Sequence, residues 1–329
     1  MSAPLRFVFG GQYDRVADLP AVAATMGRDI ENHIVASPKD AFALLSSGEE
    51  GYAGGELSSS FYMTMRSKLG DDCPLVGLPV WISRSFRHSN VWVREDSDIE
   101  SPADLAGKTV ALPEYGMTMA VWLRGLFHDE YGVRPQDISW ITHRTPVGLD
   151  EATLKLPQDV NITPAPDARS LPDLLRDGVA DAWIGAGTYP PPRGIRRLFR
   201  DAPGAERDYF ARTGIFPVMH TLVVRREVLE GQPELAQQLV DAFEATKRQA
   251  EKRLWSTSVS YPTLPWTLAA VEEQYAAMGG DPWPYGLERN RPTTDALGRY
   301  LVDQDLVWAD LPIENYFLPL EPTTHKEQS

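Results

Sequence analysis

The sequence predicts an α/β protein of two lobes with a ligand cleft between them. Three observations carry this. Strand-like runs alternate with helix-like runs through the first two thirds of the chain, the rhythm of a parallel α/β sheet. A chain of 329 residues suits one large domain or two lobes of ordinary size. Two segments then read as crossings: FRHSNVWVRED (86–96) leaves the first lobe and GIFPVMHTLVVRRE (214–227) returns to it. The expected boundaries are 1–90 plus 217–329 for lobe one and 91–216 for lobe two. A ligand is expected in the cleft, where strand ends and helix N-termini converge.

Each element has a local reason. LRFVFG (5–10) and ENHIVAS (31–37) are short strands, and KDAFALLSSG (39–48) is a helix closed by Gly48. In the clearest unit, Ser101 caps a short helix and KTVAL (108–112) is a buried strand. Met119, Trp122, Leu123, Leu126 and Phe127 then fall on one apolar helical face, and Gly132 stops that helix. SLPDLLRDG (170–178) is a helix stopped near Gly178, feeding a strand at Ala182–Ile184. FPVMHTLVVRRE (216–227) is a strand with a polar break near its start. QPELAQQLVDAFEATKRQAEKRL (232–254) is a long amphipathic helix with Leu235, Leu239 and Phe243 on one side. Its acids come early and its bases late, as the helix macrodipole favours. The last third is helical and aromatic-rich, broken around GGDPWPYGLERNRP (279–292), and no internal repeat is visible.

Composition narrows the function. With 43% apolar and 24% charged residues the chain is globular. A net charge of −14 argues against nucleic acid as a partner, although a local basic pocket for small anions remains compatible with it. The single cysteine, Cys73, rules out an intrachain disulfide and a cysteine zinc site, and its apolar neighbours mark it as a buried small side chain. The N-terminus lacks the features of a signal peptide, and no run approaches the roughly 18 apolar residues of a membrane span. A cytoplasmic protein with no membrane partner is expected.

Four blocks carry a resemblance: ELSSSFYM (56–63), LPVWISRSFRHSNVWVR (78–94), GKTVALPEYGMTMAVWLRGLFHDEYGV (107–133) and RTGIFPVMHTLVVRR (212–226). Together they resemble the 4,5-dihydroxyphthalate decarboxylases, cytoplasmic relatives of type II periplasmic solute-binding proteins. The resemblance runs from the triplet Tyr13–Arg15 to the helix after Pro233. It implies a bilobal type II periplasmic-binding-protein-like fold, two α/β lobes joined by two crossover strands. It also implies a homo-oligomer and non-oxidative decarboxylation of a small hydroxylated aromatic carboxylate, with 4,5-dihydroxyphthalate going to protocatechuate and carbon dioxide. The chain departs from the family pattern at ITHRTP (141–146) and GAGTYPPP (185–192), both expected near the cleft.

Such a reaction needs a cation for the carboxylates, a proton donor for the ring and a base for a ring hydroxyl. It needs no organic cofactor. Arg84, Arg87 and His88 are the candidate cationic wall, because a guanidinium grips a carboxylate bidentately and a phthalate presents two. Taken alone, such a basic cluster reads as solvated surface. His88 and His220, at the two crossings, are candidate proton donors. Glu56 with Ser58 and Ser59 supplies a carboxylate and hydroxyls, or simply a turn and helix cap. In YDR (13–15), Asp14 is a candidate acid or base and Arg15 an anion contact. In PEYGMT (113–118), Glu114 and Tyr115 are candidates for a ring hydroxyl, and Thr118 caps the helix or binds a carboxylate. Trp283 and Tyr285 either stack on a ring or pack on the core. His128 is expected in solvent, His143 is a weaker cleft candidate, and His33 and His325 lack context. Asp14, Glu56, His88 and His220 make a conceivable divalent-metal set, but no metal-motif spacing accompanies them, so no metal is expected. A non-catalytic solute-binding protein for aromatic carboxylates is the alternative. The thiamine-precursor synthases of related fold use a cysteine-rich iron motif that one cysteine cannot supply.

Overall fold

A computed structural model describes residues 3–47, 51–143, 153–166, 169–186, 190–232 and 234–323. Gly48, Pro233, His325, residues 144–146 of ITHRTP and residues 187–189 of GAGTYPPP lie outside the described residues. The strands are β1 (Leu5–Phe9), β2 (Ile30–Ile34), β3 (Gly54–Ser58), β4 (Leu75–Arg84), β5 (Val91–Arg94), β6 (Thr109–Leu112), β7 (Ser139–Thr142), β8 (Ile162–Pro164), β9 (Ala182–Ile184), β10 (Ile195–Arg197) and β11 (Val218–Arg225). They form two sheets, β2-β1-β3-β11-β4 and β10-β5-β9-β6-β7-β8. The fold is therefore bilobal α/β.

The sheets are mixed rather than purely parallel. β11 runs antiparallel to β3 and β4 in the first sheet, and β5 is antiparallel to β9 and β10 in the second. The antiparallel pairs involve strands beside the crossings. Each crossing leads into a strand. The first enters β5 through residues 85–90, with a short 3₁₀ turn at His88–Asn90, and the second enters β11 after the helix Ala202–Thr213. Asp201 caps that helix by accepting from Gly204 N, and Gly214 ends it at φ 66°. This helix, β8 and β10 are absent from the sequence reading because each is short or only weakly amphipathic.

Elsewhere local signals and structure agree. Ser37 caps the helix Pro38–Ser46, and Ser101 forms a capping box with Asp104. The helix Thr118–Tyr131 ends at Gly132 in the left-handed region. The C-terminal segment joins the two lobes. Its helix Arg291–Asp303 packs on the helix Ser59–Leu69 of lobe one and on Thr118–Tyr131 of lobe two. Arg299 pairs with Asp129, Gln304 Nε2 donates to Val121 O at 3.0 Å, and Thr64 Oγ1 donates to Leu306 O at 3.0 Å. Among the described residues, no helix is long and apolar enough to cross a membrane.

Candidate active site

Glu56 lies on β3, which is buried along its whole length between β1 and β11. The register sets Leu222 opposite Glu56 and His220 opposite Ser58, so all four side chains share one face. His220 leans back across that register, and its Nδ1 lies 2.5 Å from Glu56 Oε1. Two further donors complete the carboxylate: Gly10 N–H to Oε2 and the Tyr13 hydroxyl to Oε1, each at 2.8 Å. Gly10 is required there, because a Cβ would sit 2.1 Å from the Pro38 Cα.

Burial pushes the Glu56 carboxyl up, but His220, Gly10 and Tyr13 together bring it below the ordinary carboxylate range. Burial first, and then the charge of Glu56, push the Tyr13 phenol far up, so it stays a donor. An ionised Glu56 accepts from Nδ1, which fixes the imidazole proton there and turns Nε2 outward. The His220 side chain is 19% exposed, and its ring edge rests against Phe42. The arrangement is an oriented imidazole on a buried carboxylate, able to exchange a proton at Nε2.

Beside it, hydroxyls cross the lobe boundary. Thr118 Oγ1 lies 2.9 Å from Ser58 Oγ and 3.0 Å from Ser60 Oγ, and Ser60 Oγ donates to Gly116 O at 2.8 Å. Thr118 is thus the first residue of its helix but not its cap, which is Met117. Ser60 takes the place expected for Ser59, whose buried hydroxyl has no hydrogen-bond partner among the described residues.

The basic cluster divides into three environments. Arg84 is buried and fastened to Asn290 Oδ1 at 2.8 Å and to Phe216 O at 2.7 Å, with its guanidinium over the Phe216 ring. It ties the second crossing to the C-terminal loop instead of facing Glu56. His88 is enclosed by Phe199 and Tyr209, and burial lowers its pKa to about 4. A neutral imidazole at that pKa makes its 3.9 Å approach to Glu206 a packing contact and not an ion pair. Arg87 differs from both. Its Nε donates to Met219 Sδ at 3.1 Å, and it has no ion pair among the described residues, although Glu206 is close enough to favour its charged form. Burial lowers its pKa to about 10, so it stays cationic at neutral pH.

Among the described residues, the remaining candidates make no hydrogen bond to the Glu56–His220 pair. Asp14 is exposed and accepts from Arg15, whose Nε donates to Ile82 O at 2.8 Å and whose guanidinium stacks between Tyr13 and Trp283. Glu114 is buried in the turn between β6 and the Thr118 helix. Tyr115 points into the core of lobe two, edge-on to Trp140 and beneath Arg124. Tyr285 is buried, and Trp283 donates to Trp81 O at 2.8 Å. Among the described residues, no group of three or more His, Cys, Asp or Glu side chains is placed to hold a metal ion. Tyr13 and Gly10 are the site residues that sequence reasoning missed, and Ser60 lies in the serine run after Glu56 without having been singled out. Tyr13 adjoins Asp14 and Arg15, but only the fold reveals that its hydroxyl reaches β3.

A family model described as NMT1/THI5 like matches residues 28–147. The chain is 39% identical over 249 residues to a 4,5-dihydroxyphthalate decarboxylase of Comamonas testosteroni, covering 73% of this chain and 74% of that one. It is 36% identical over 162 residues to a 4,5-dihydroxyphthalate decarboxylase of Pseudomonas putida, covering 47% of this chain and 62% of that one. Among solved structures, a DszB mutant in complex with biphenyl-2-sulfinic acid superposes with a TM-score of 0.51 at 14% identity, covering 96% of each chain. A periplasmic sulfonate-binding protein from Methylobacillus flagellatus superposes at 0.50 with 15% identity, covering 97% of this chain and 92% of that one. At such identities these structures show the shared fold alone.

Proposed function

The chain belongs to the 4,5-dihydroxyphthalate decarboxylase family, and from that premise we propose that His220 protonates the ring of 4,5-dihydroxyphthalate while Glu56 holds its imidazole in place. The observation that carries the assignment is the Glu56 carboxylate, buried yet supplied with three donors, one of them His220 Nδ1 at 2.5 Å.

Loss of carbon dioxide directly from an arene would leave an aryl anion. A hydroxyl para to the departing carboxylate avoids this. As that hydroxyl gives up its proton to water, electron density moves to the carboxyl-bearing carbon, which takes a proton from His220 Nε2. The resulting ketone-like ring breaks its bond to the carboxylate, and the bonding pair restores aromaticity. The ring oxygen then takes a proton back from water. One proton is consumed at carbon and one carbon dioxide leaves, so the reaction balances without redox chemistry or an organic cofactor.

Arg87 supplies the cation. Half-buried, without an ion pair among the described residues, and in contact with Met219 on the strand that carries His220, it suits a substrate carboxylate. Glu56 acts through His220: its charge stabilises the imidazolium that donates the proton. The scheme uses one oriented imidazole as acid, one guanidinium as cation and water as base for the hydroxyl, and it assigns no step to a metal.

The test is turnover. Purified protein is incubated with 4,5-dihydroxyphthalate and a panel of hydroxybenzoates in heavy water, with and without chelator. The expected result is one carbon dioxide per substrate and one deuterium at the vacated ring carbon, in both arms. Binding of the panel without turnover would overturn the decarboxylase reading in favour of a solute-binding protein.

A further inference from the structure

A cavity of about 220 Å³ opens between the helices Leu235–Leu254 and Thr267–Met278, and neither Glu56 nor His220 lines it. Its walls are aromatic: Phe216, Trp255, Tyr275 and Trp283, with Ala250 on the long helix. Four charged side chains also line it, and two of them are committed elsewhere. Lys247 is spent on Asp281, Glu244 and Trp283 O, and Asp14 on Arg15.

The other two retain open valence. Arg15 donates through Nε to Ile82 O and through Nη1 to Asp14, while Nη2 has no partner among the described residues. Glu251 pairs with Arg248 through Oε2, and its Oε1 is buried without a hydrogen-bond partner. Tyr13 and Trp283 clamp the Arg15 guanidinium at 4.6 and 4.3 Å from their ring centroids, so its orientation is preset.

We propose that this cavity binds a hydroxylated aromatic monocarboxylate, with the carboxylate on Arg15, the ring between the aromatic walls and a ring hydroxyl on Glu251. Burial pushes the Glu251 carboxyl up, which eases the approach of an anionic ligand. One cation with one free nitrogen suits a single carboxylate. A phthalate would bring a second, adjacent carboxylate for which Lys247 is no longer available. The ligand class is therefore that of the product, and the site holds product apart from the reacting pair. Its occupancy also bears on the site electrostatically, because the Tyr13 ring that stacks on Arg15 carries the hydroxyl bonded to Glu56.

The choice of ligand rests on the decarboxylase reading, but the experiment reads binding. Equilibrium dialysis of the full chain is run with 3,4-dihydroxybenzoate, benzoate and phthalate, alongside initial rates on 4,5-dihydroxyphthalate. Ala250→Phe fills the cavity and Glu251→Leu removes the hydroxyl acceptor. We expect Ala250→Phe to lower the 3,4-dihydroxybenzoate stoichiometry from two per chain to one without changing the initial rate. Glu251→Leu should cut the preference for 3,4-dihydroxybenzoate over benzoate at the second site by about tenfold or more. Unchanged stoichiometry and preference overturn the proposal. Loss of turnover in folded Ala250→Phe also overturns it, since the cavity would then be the reaction site. If Ala250→Phe fails to fold, the preference in Glu251→Leu decides. A chain that binds two ligands yet releases no carbon dioxide would sink the decarboxylase reading and leave this one standing.

Discussion

Glu56 has no contact with solvent and yet remains ionised, and the division of work between it and His220 follows from that. His220→Ala is expected to lower kcat by about 10²–10⁴ with little change in KM, the usual scale for a lost general acid. Arg87→Ala should instead raise KM by about tenfold or more, the scale of one charge-assisted hydrogen bond. Steady-state kinetics separates the two. The Glu56 carboxyl lies lower in the folded chain than its unfolded value of about 4.3. It therefore contributes stability that is present above that value and lost as pH falls through the folded pKa. Urea melts of wild type and Glu56→Gln should differ near neutral pH and converge in acid. Both members of the pair were visible in the sequence as an isolated carboxylate beside serines and a histidine at a crossing. The cluster SRSFRH misleads, because adjacency in sequence is not a shared surface. Arg84 ends a strand, Arg87 lies before the 3₁₀ turn and His88 begins it, so each side chain leaves in its own direction.

At the level of elements, β3 and the turns around it set the geometry. Gly10→Ala would drive a Cβ into the Pro38 backbone and withdraw the amide from Glu56. Activity should fall more than in a substitution at Gly11, whose added Cβ would meet nothing nearer than 3.8 Å. Thr118→Val leaves Ser58 and Ser60 without their buried partner, a loss of about 1–3 kcal/mol that thermal melts will show and Thr118→Ser should largely restore. Helix and strand positions were legible because capping residues, glycine stops and apolar periodicity act within one turn or one strand. The Ser60–Thr118 contact joins residues 58 positions apart, and nothing local announces it. The same separation hid the contact of Thr118 with Ser58 and Ser60, since the sequence offered Thr118 only as a helix cap or a carboxylate ligand.

Across the whole molecule, the two-lobed plan was readable from the order of strands and helices, whereas the bridge between lobes was not. Asp129 and Arg299 stand 170 positions apart, and the helix that carries Arg299 looks in sequence like any amphipathic surface helix. With Arg299, Gln304 and Leu306 each holding one lobe or the other, and Ser58, Ser60 and Thr118 holding the boundary itself, the lobes are braced. Small-angle scattering should give the same radius of gyration with and without 4,5-dihydroxyphthalate, and a closure comparable to a hinged receptor would refute this. The brace has a consequence for information as well as for shape. A transport receptor tells its membrane partner that it is loaded by changing outline, empty and full being two silhouettes. A chain pinned across its lobes is expected to keep one silhouette, empty or full, and scattering would read that difference directly.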